Sequence, residues 1–262
     1  MNELLCAWAP YERDLIALPG KSLYSENELE SLRQQAICLA RTAASAYEKG
    51  LVAIGIGDYE EAIVHFGYAL ALSRSDSMKT AQIFLYKGIA ELEICPNPLK
   101  RINFIYFGEH SQSQELISCY ERALQNIDSS ISYHHYLGGA WAVRAFALLN
   151  MNRFRQAIQN IDSAMSFGED DYYVWYIRGY LYGINGNYEA SIASFDSSII
   201  RRHNNTETWL VRGLIHSRYH QYDLALASCD SASVFDPNDP EIVRTRKFIS
   251  HRRFFIGGFI KK

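Results

Sequence analysis

Three consecutive stretches decide the reading of this chain: Gly138–Asp171 (GGAWAVRAFALLNMNRFRQAIQNIDSAMSFGEDD), Tyr172–Asn205 (YYVWYIRGYLYGINGNYEASIASFDSSIIRRHNN) and Thr206–Asp239 (TETWLVRGLIHSRYHQYDLALASCDSASVFDPND). They align at a fixed period of 34 residues. Trp141, Trp175 and Trp209 fall in register, as do Arg144, Arg178 and Arg212, and Asp162, Asp196 and Asp230. A period of this length marks a solenoid, in which no unit buries its apolar face alone and each stacks on its neighbours. Function is then sought on the stacked surface and in whatever interrupts the repeats.

Each unit reads as two helices. From Tyr172, the first carries Trp175, Ile177, Tyr180, Leu181 and Ile184, apolar on more than one face, as suits a helix packed between neighbours. Asn185-Gly186-Asn187 is a turn signal. The second helix follows with Tyr188, Ile192, Phe195, Ile199 and Ile200, completing an αα-hairpin. Small residues stand where the two helices approach: Gly179 opposite Ser191, Ala145 opposite Ala157, Gly213 opposite Ala225. A larger side chain there forces the backbones apart.

These residues resemble the tetratricopeptide repeat family, whose order of Trp, small residue, Tyr and Ala appears in Trp209, Gly213, Tyr222 and Ala225, followed by Ala232 and Pro237. The resemblance extends upstream through Gly50, Gly57-Asp58-Tyr59, Ala62, Phe66 and Ala69, and through Gly88, Tyr120 and Ala123. It implies an all-α fold: a right-handed α-solenoid of about five helix pairs with a C-terminal capping helix. The expected organisation is an N-terminal segment with a leading helix (1–42), a repeat region (43–239) and a capping helix with a basic aromatic tail (240–262). The repeats are expected at 43–76, 81–130, 138–171, 172–205 and 206–239, the second split by an insertion at 95–111. The family's terminal proline survives only as Pro237. The resemblance further implies a scaffold for binding proteins, not an enzyme.

Composition agrees with a folded, elongated chain. Of 262 residues 48% are hydrophobic, and the formal net charge is −3. From Arg244 to Lys262 there are seven basic and no acidic residues, so the remainder carries −10. An acidic body thus bears a basic tail. The five cysteines, Cys6, Cys38, Cys95, Cys119 and Cys229, are scattered without CxxC spacing and read as buried thiols of a reducing compartment. The N-terminus has no basic n-region and its apolar stretch is broken by Pro10, Tyr11 and Glu12, which does not read as a secretory signal, and no run approaches the ~20 apolar residues that span a bilayer. The expectation is a soluble, cytoplasmic protein.

The sequence offers no catalytic, metal-binding or cofactor-binding set. His216 and His220 are four apart, but the HExxH glutamate is missing. His134-His135 has no third ligand in view, and Ile54-Gly55-Ile56-Gly57 lacks the lysine and hydroxyl of a phosphate loop. The recurrent helix-A cations (Lys49, Lys87, Arg144, Arg178, Arg212) are matched by helix-B acids (Glu121, Asp162, Asp196, Asp230), which reads as ion pairing that fixes the stack.

Carried over from the family, the inner groove is lined in part by Tyr47, Leu51, Leu85, Ile89, Phe146, Tyr173, Tyr176, Tyr180, Leu210 and Leu214. An exposed apolar, aromatic groove suits a protein partner, namely a peptide or helix with aliphatic anchors. The Lys, Asn and Arg set with which some family members clamp acidic C-termini is absent. The groove's alternative occupants are the chain's own N-terminal segment or the insertion, whose Phe104, Tyr106 and Phe107 are a possible secondary contact. The tail residues Arg252, Arg253, Phe254 and Phe255 open a second reading, a peripheral docking module on an anionic membrane or nucleic acid.

Overall fold

The computed structural model describes residues 45–73, 76–96 and 113–259, with side chains described up to Phe254. The segment 1–42, the body of the insertion with Phe104, Tyr106 and Phe107, and the side chain of Phe255 lie outside the described residues. Among the described residues there are helices and no strand: α1 (Ala46–Ile56), α2 (Tyr59–Leu72), α3 (Ser77–Ile94), α4 (Gln114–Tyr133), α5 (Gly138–Asn150), α6 (Phe154–Ser166), α7 (Tyr172–Ile184), α8 (Tyr188–Arg201), α9 (Thr206–Arg218), α10 (Tyr222–Phe235) and α11 (Pro240–Phe259). The contacts divide them into two compact units that meet in sequence at Glu169 and Asp170. In the first, α1 pairs with α2, α3 with α4 and α5 with α6; in the second, α7 pairs with α8 and α9 with α10, and α11 packs on both α9 and α10.

The pairs close because the crossing points lack side chains. A Cβ added to Gly50 would stand 2.6 Å from the Phe66 ring, one on Gly88 2.8 Å from Ile127, and one on Gly179 3.0 Å from Phe195. The Ser191 hydroxyl donates to the Gly179 carbonyl at 2.7 Å, so the small residue on α8 also satisfies a buried polar group.

The turns of the four pairs without an insertion are alike. Gly57, Asn152, Gly186 and His220 each take a positive φ, between 57° and 90°. The next residue's N–H then bonds a carbonyl five residues back: Asp58 to Ala53, Arg153 to Leu148, Asn187 to Tyr182, and Gln221 to His216. This is the left-handed closure that ends many helices. Side-chain caps start the helices from Ser45, Asp58, Asp76, Ser113, Asn187 and Asn205. Helix α4 runs on to Tyr133, past the expected end of its repeat at 130.

The tryptophan register has a structural cause. The indole N–H of Trp141 donates to the His135 carbonyl and that of Trp209 to the His203 carbonyl, both at 2.8 Å, while that of Trp175 donates to Asp170 Oδ1 at 2.7 Å. Each tryptophan ties the start of its helix to the junction just before it. The capping helix closes the second unit by placing Ile242 and Ile249 against Leu210, Ala225, Cys229 and Ala232.

Candidate protein-binding surface

The groove positions sit on the first helix of each pair. In the second unit Tyr173, Tyr176 and Tyr180 fall three and four apart on α7 and are only 2%, 2% and 1% exposed. Tyr176 lies between the Phe195 ring, at 6.0 Å, and Tyr180, at 6.4 Å, and its hydroxyl donates to Glu207 Oε1 at 3.3 Å. Burial, reinforced by the Glu207 carboxylate, pushes both the Tyr176 and the Tyr180 phenols well above their ordinary value. Leu210 and Leu214 on α9 are buried as well. In the first unit Leu85, Ile89 and Phe146 are buried, whereas Tyr47 and Leu51 are half-buried. Tyr47 packs between Phe66 and Tyr86, with both ring centroids at 6.2 Å.

This corrects the expectation of an exposed stripe. Eight of its ten residues are interior. The family register gives the direction in which a helix-A side chain points, but it does not say what packs upon that side chain. Large rings at these positions fill space instead of lining an open channel.

The charged ladder also differs in detail. Arg144 Nε donates to Asp128 Oδ1 at 2.6 Å, and Arg212 Nε donates to Asp196 Oδ1 at 2.8 Å. Each arginine reaches the acid sixteen residues upstream, in the preceding pair, and a polar side chain sixteen downstream: Asn160 for Arg144, Ser228 for Arg212. The acid in register within α4 is therefore Asp128; Glu121 faces Arg153 at 3.6 Å instead. The matching of cations to acids leads one to expect Asp162 or Asp196 beside Arg178, yet Asp196 is taken by Arg212, and Arg178 reaches no carboxylate among the described residues. It donates to the Ser194 hydroxyl at 3.0 Å and stacks on Tyr182 and Trp175, at 4.8 and 5.4 Å. Two rungs of the ladder, Arg144 and Arg212, are thus matched by carboxylates across neighbouring pairs, while Arg178 is held by a hydroxyl and two rings.

The histidines serve packing. His216 is buried and hydrogen-bonds the Tyr188 hydroxyl at 2.8 Å through Nδ1, while His220 contacts the Tyr222 hydroxyl at 3.0 Å. His135 packs edge-on to Trp141 and Phe167, at 5.2 and 5.3 Å. Beside it Tyr136 is 71% exposed, and Tyr133, 51% exposed, stacks on Phe84. This aromatic edge of the first unit is a surface that the repeat register did not flag; its signal is the ring-rich run Tyr133-His134-His135-Tyr136 at a pair junction. Among the described residues no three His, Cys, Asp or Glu side chains are placed to hold a metal ion.

The basic tail is partly neutralised by the chain itself. Arg244 pairs with Glu241, Arg246 with Asp230, and Arg253 with Asp223 at 2.9 Å. Arg252 is half-buried, and Phe254 is 79% exposed. Among the described residues no helix is long and apolar enough to cross a membrane. The cysteine expectation is overturned in part: Cys95 and Cys119 form a disulfide with a Cα separation of 5.8 Å, and Cys229 is a buried free thiol.

Comparison with known proteins bears on the fold. The sequence model of the tetratricopeptide repeat matches residues 172–199. A solved structure of a thermophilic tetratricopeptide repeat protein of Thermus thermophilus is similar with a TM-score of 0.58 at 16% identity, over 77% of this chain and 96% of that one. A tetratricopeptide repeat protein from Parabacteroides merdae is similar with a TM-score of 0.56 at 15% identity, over 79% of this chain and 72% of that one. No curated protein sequence matches.

Proposed function

Given that the chain is a tetratricopeptide-repeat protein, we propose that it is a non-enzymatic scaffold, an adaptor or assembly factor, which holds an apolar peptide or helix of a partner protein on the first-helix face of its pairs. The observation that carries this reading is the recurrence of large apolar side chains at the groove positions: Tyr47, Leu51, Leu85, Ile89 and Phe146 in one unit, and Tyr173, Tyr176, Tyr180, Leu210 and Leu214 in the other. Tyrosine and leucine give contact area without charge, which suits aliphatic anchors and not an acidic terminus. Most of these side chains are buried, so a partner engages them only where the packing above them gives way.

The docking-module alternative fares less well. Three of the tail's seven basic residues already face the chain's own carboxylates, which lowers the charge that the tail offers an anionic surface.

The half-buried pair Tyr47 and Leu51 gives the cleaner test, because truncation there disturbs the interior least. Tyr47→Ala and Leu51→Ala are compared with wild type in a pull-down from native lysate, after melting curves establish that both variants are folded. Truncating one central anchor typically costs about 2 kcal/mol of binding, roughly thirtyfold in affinity. Retention of every specific partner by both variants would remove the groove from consideration and turn attention to the exposed Tyr136 edge. Loss in moderate salt alone would favour the tail.

A further inference from the structure

The Cys95–Cys119 disulfide stands in the repeat register where the other four pairs have a peptide bond. The crossing residues fix that register. Phe66 follows Gly50 by sixteen residues, as Ile161 follows Ala145, Phe195 follows Gly179 and Cys229 follows Gly213. In the split pair the crossing partners are Gly88 and Ile127, which are 39 apart, so 23 residues have been inserted. Seven residues after the crossing residue, the intact pairs carry Gly57, Asn152, Gly186 and His220, the positive-φ turn residues. The split pair carries Cys95 there. The very next residue of the intact pairs, eight before the second crossing residue, is Asp58, Arg153, Asn187 or Gln221. In the split pair that position is Cys119.

Two positions that are neighbours in four pairs are thus cysteines in the fifth, 24 apart in sequence and joined through sulfur. Cys95 does not turn. It ends α3 with φ −68° and ψ 140°, an extended conformation in place of the positive φ of the intact pairs. Its Cα lies 5.8 Å from that of Cys119, against about 3.8 Å across a peptide unit, so the bond brings the helix ends nearly as close as a turn does. The Tyr120 hydroxyl donates to the Pro96 carbonyl at 3.1 Å, tying the residues on either side as well.

We propose that the Cys95–Cys119 bond is a redox-controlled staple that replaces the missing inter-helix turn of the split pair. Oxidised, it holds α3 and α4 in the register of the intact pairs. Reduced, the two helices are linked covalently only through the insertion. The bond forms by two thiol–disulfide exchanges with a low-molecular-weight disulfide such as oxidised glutathione. One cysteine thiolate attacks it and expels a thiol; the other attacks the mixed disulfide and expels the second. The protein dithiol is oxidised by two electrons, and one small disulfide is reduced to two thiols. Cys229 does not compete, because it lies in the second unit and burial pushes its thiol up to about 11. A bond of this kind persists in an oxidising compartment and is lost in a reducing one, so it also bears on the expected cytoplasmic location. The proposal stands apart from the binding reading above.

The test uses the full chain. Non-reducing tryptic mapping of protein equilibrated with oxidised glutathione is expected to yield Gly88–Lys100 linked to Ile102–Arg122; finding both only as free-thiol peptides overturns the proposal. Reduction is expected to lower Tm by roughly 4–16 °C, given a typical disulfide contribution and the usual Tm sensitivity of a chain this size. The double variant Cys95→Ser, Cys119→Ser should melt with the reduced wild type; melting with the oxidised form means the staple holds nothing. The decisive variant deletes residues 96–118 and joins Cys95→Gly directly to Cys119→Asp, rebuilding the Gly57-Asp58 turn. It is expected to melt near oxidised wild type and to ignore reductant. Failure of this variant to fold, when the double serine variant folds, rejects the equivalence of the two positions.

Discussion

Arg212 donates through Nε to Asp196, sixteen residues upstream, at 2.8 Å, and so links the first helix of one pair to the second helix of the pair before it. The acid is about half exposed and the arginine one-fifth exposed, which makes this a partly screened contact and not a buried charge. The pair should therefore contribute about 1 kcal/mol or less, and Arg212→Ala somewhat more because the Ser228 bond and the stacking on Trp209 go too. A double-mutant cycle with Asp196→Ala, read by urea midpoint, is expected to give a coupling of about 0.5–1 kcal/mol. A zero coupling would reduce the ladder to incidental surface pairing with no role in stacking.

Glycine substitutions separate the crowded positions from the open ones. A Cβ at Gly67, in mid-helix on α2, meets nothing within 4 Å, whereas one at Gly50 meets the Phe66 ring at 2.6 Å. Gly67→Ala is expected to stabilise by about 0.5–1 kcal/mol, the difference in helix propensity. Gly50→Ala is expected to destabilise by about 1–3 kcal/mol through overpacking. Chemical denaturation of the two variants should move the midpoint in opposite directions.

The fold was legible because its determinants repeat. Gly50, Gly88, Gly179 and Gly213 mark helix crossings by what they lack, and Trp141, Trp175 and Trp209 mark helix starts. A period turns each such residue into several concordant observations. The site was less legible, because burial depends on what packs over a helix and not on the helix's own register. Tyr176 reads as an outward anchor when the family's groove positions are carried over, yet it is enclosed by Phe195, Tyr180 and Glu207. The cysteines show the opposite failure. Scattered in linear sequence, Cys95 and Cys119 become consecutive once the insertion is removed from the register.

His216 gives the second unit a pH dependence. Burial, together with the Arg212 charge and against that of Asp196, lowers its imidazole from 6.5 to about 4. Between those values the unfolded chain binds more protons than the folded one. Stability from this group is thus fully present above about pH 6.5 and is lost as pH falls toward about 4. Urea midpoints at about pH 7.5 and about pH 5 should fall further for wild type than for His216→Leu, which cannot titrate. Equal falls in the two proteins would mean that other groups carry the acid sensitivity.

The tyrosines of α7 make the sharpest separation of packing from chemistry. Tyr176 is 2% exposed and Tyr180 1% exposed, so truncation leaves a cavity. By analogy with other buried aromatics, Tyr176→Ala and Tyr180→Ala should each cost about 3–5 kcal/mol of stability. Tyr176→Phe keeps the ring between Phe195 and Tyr180 and removes only the hydroxyl that donates to Glu207. A hydrogen bond to a charged group is worth about 1.5–3 kcal/mol, and at 3.3 Å this one is long, so the loss should sit at or below the lower end. The measurement is the urea midpoint of the three variants, with the slope of the transition monitored for a change in cooperativity. Were Tyr176→Ala to unfold at the wild-type midpoint, its ring could not be filling the interior between α7, α8 and α9. The stripe would then be open surface after all, free to receive a partner without any rearrangement.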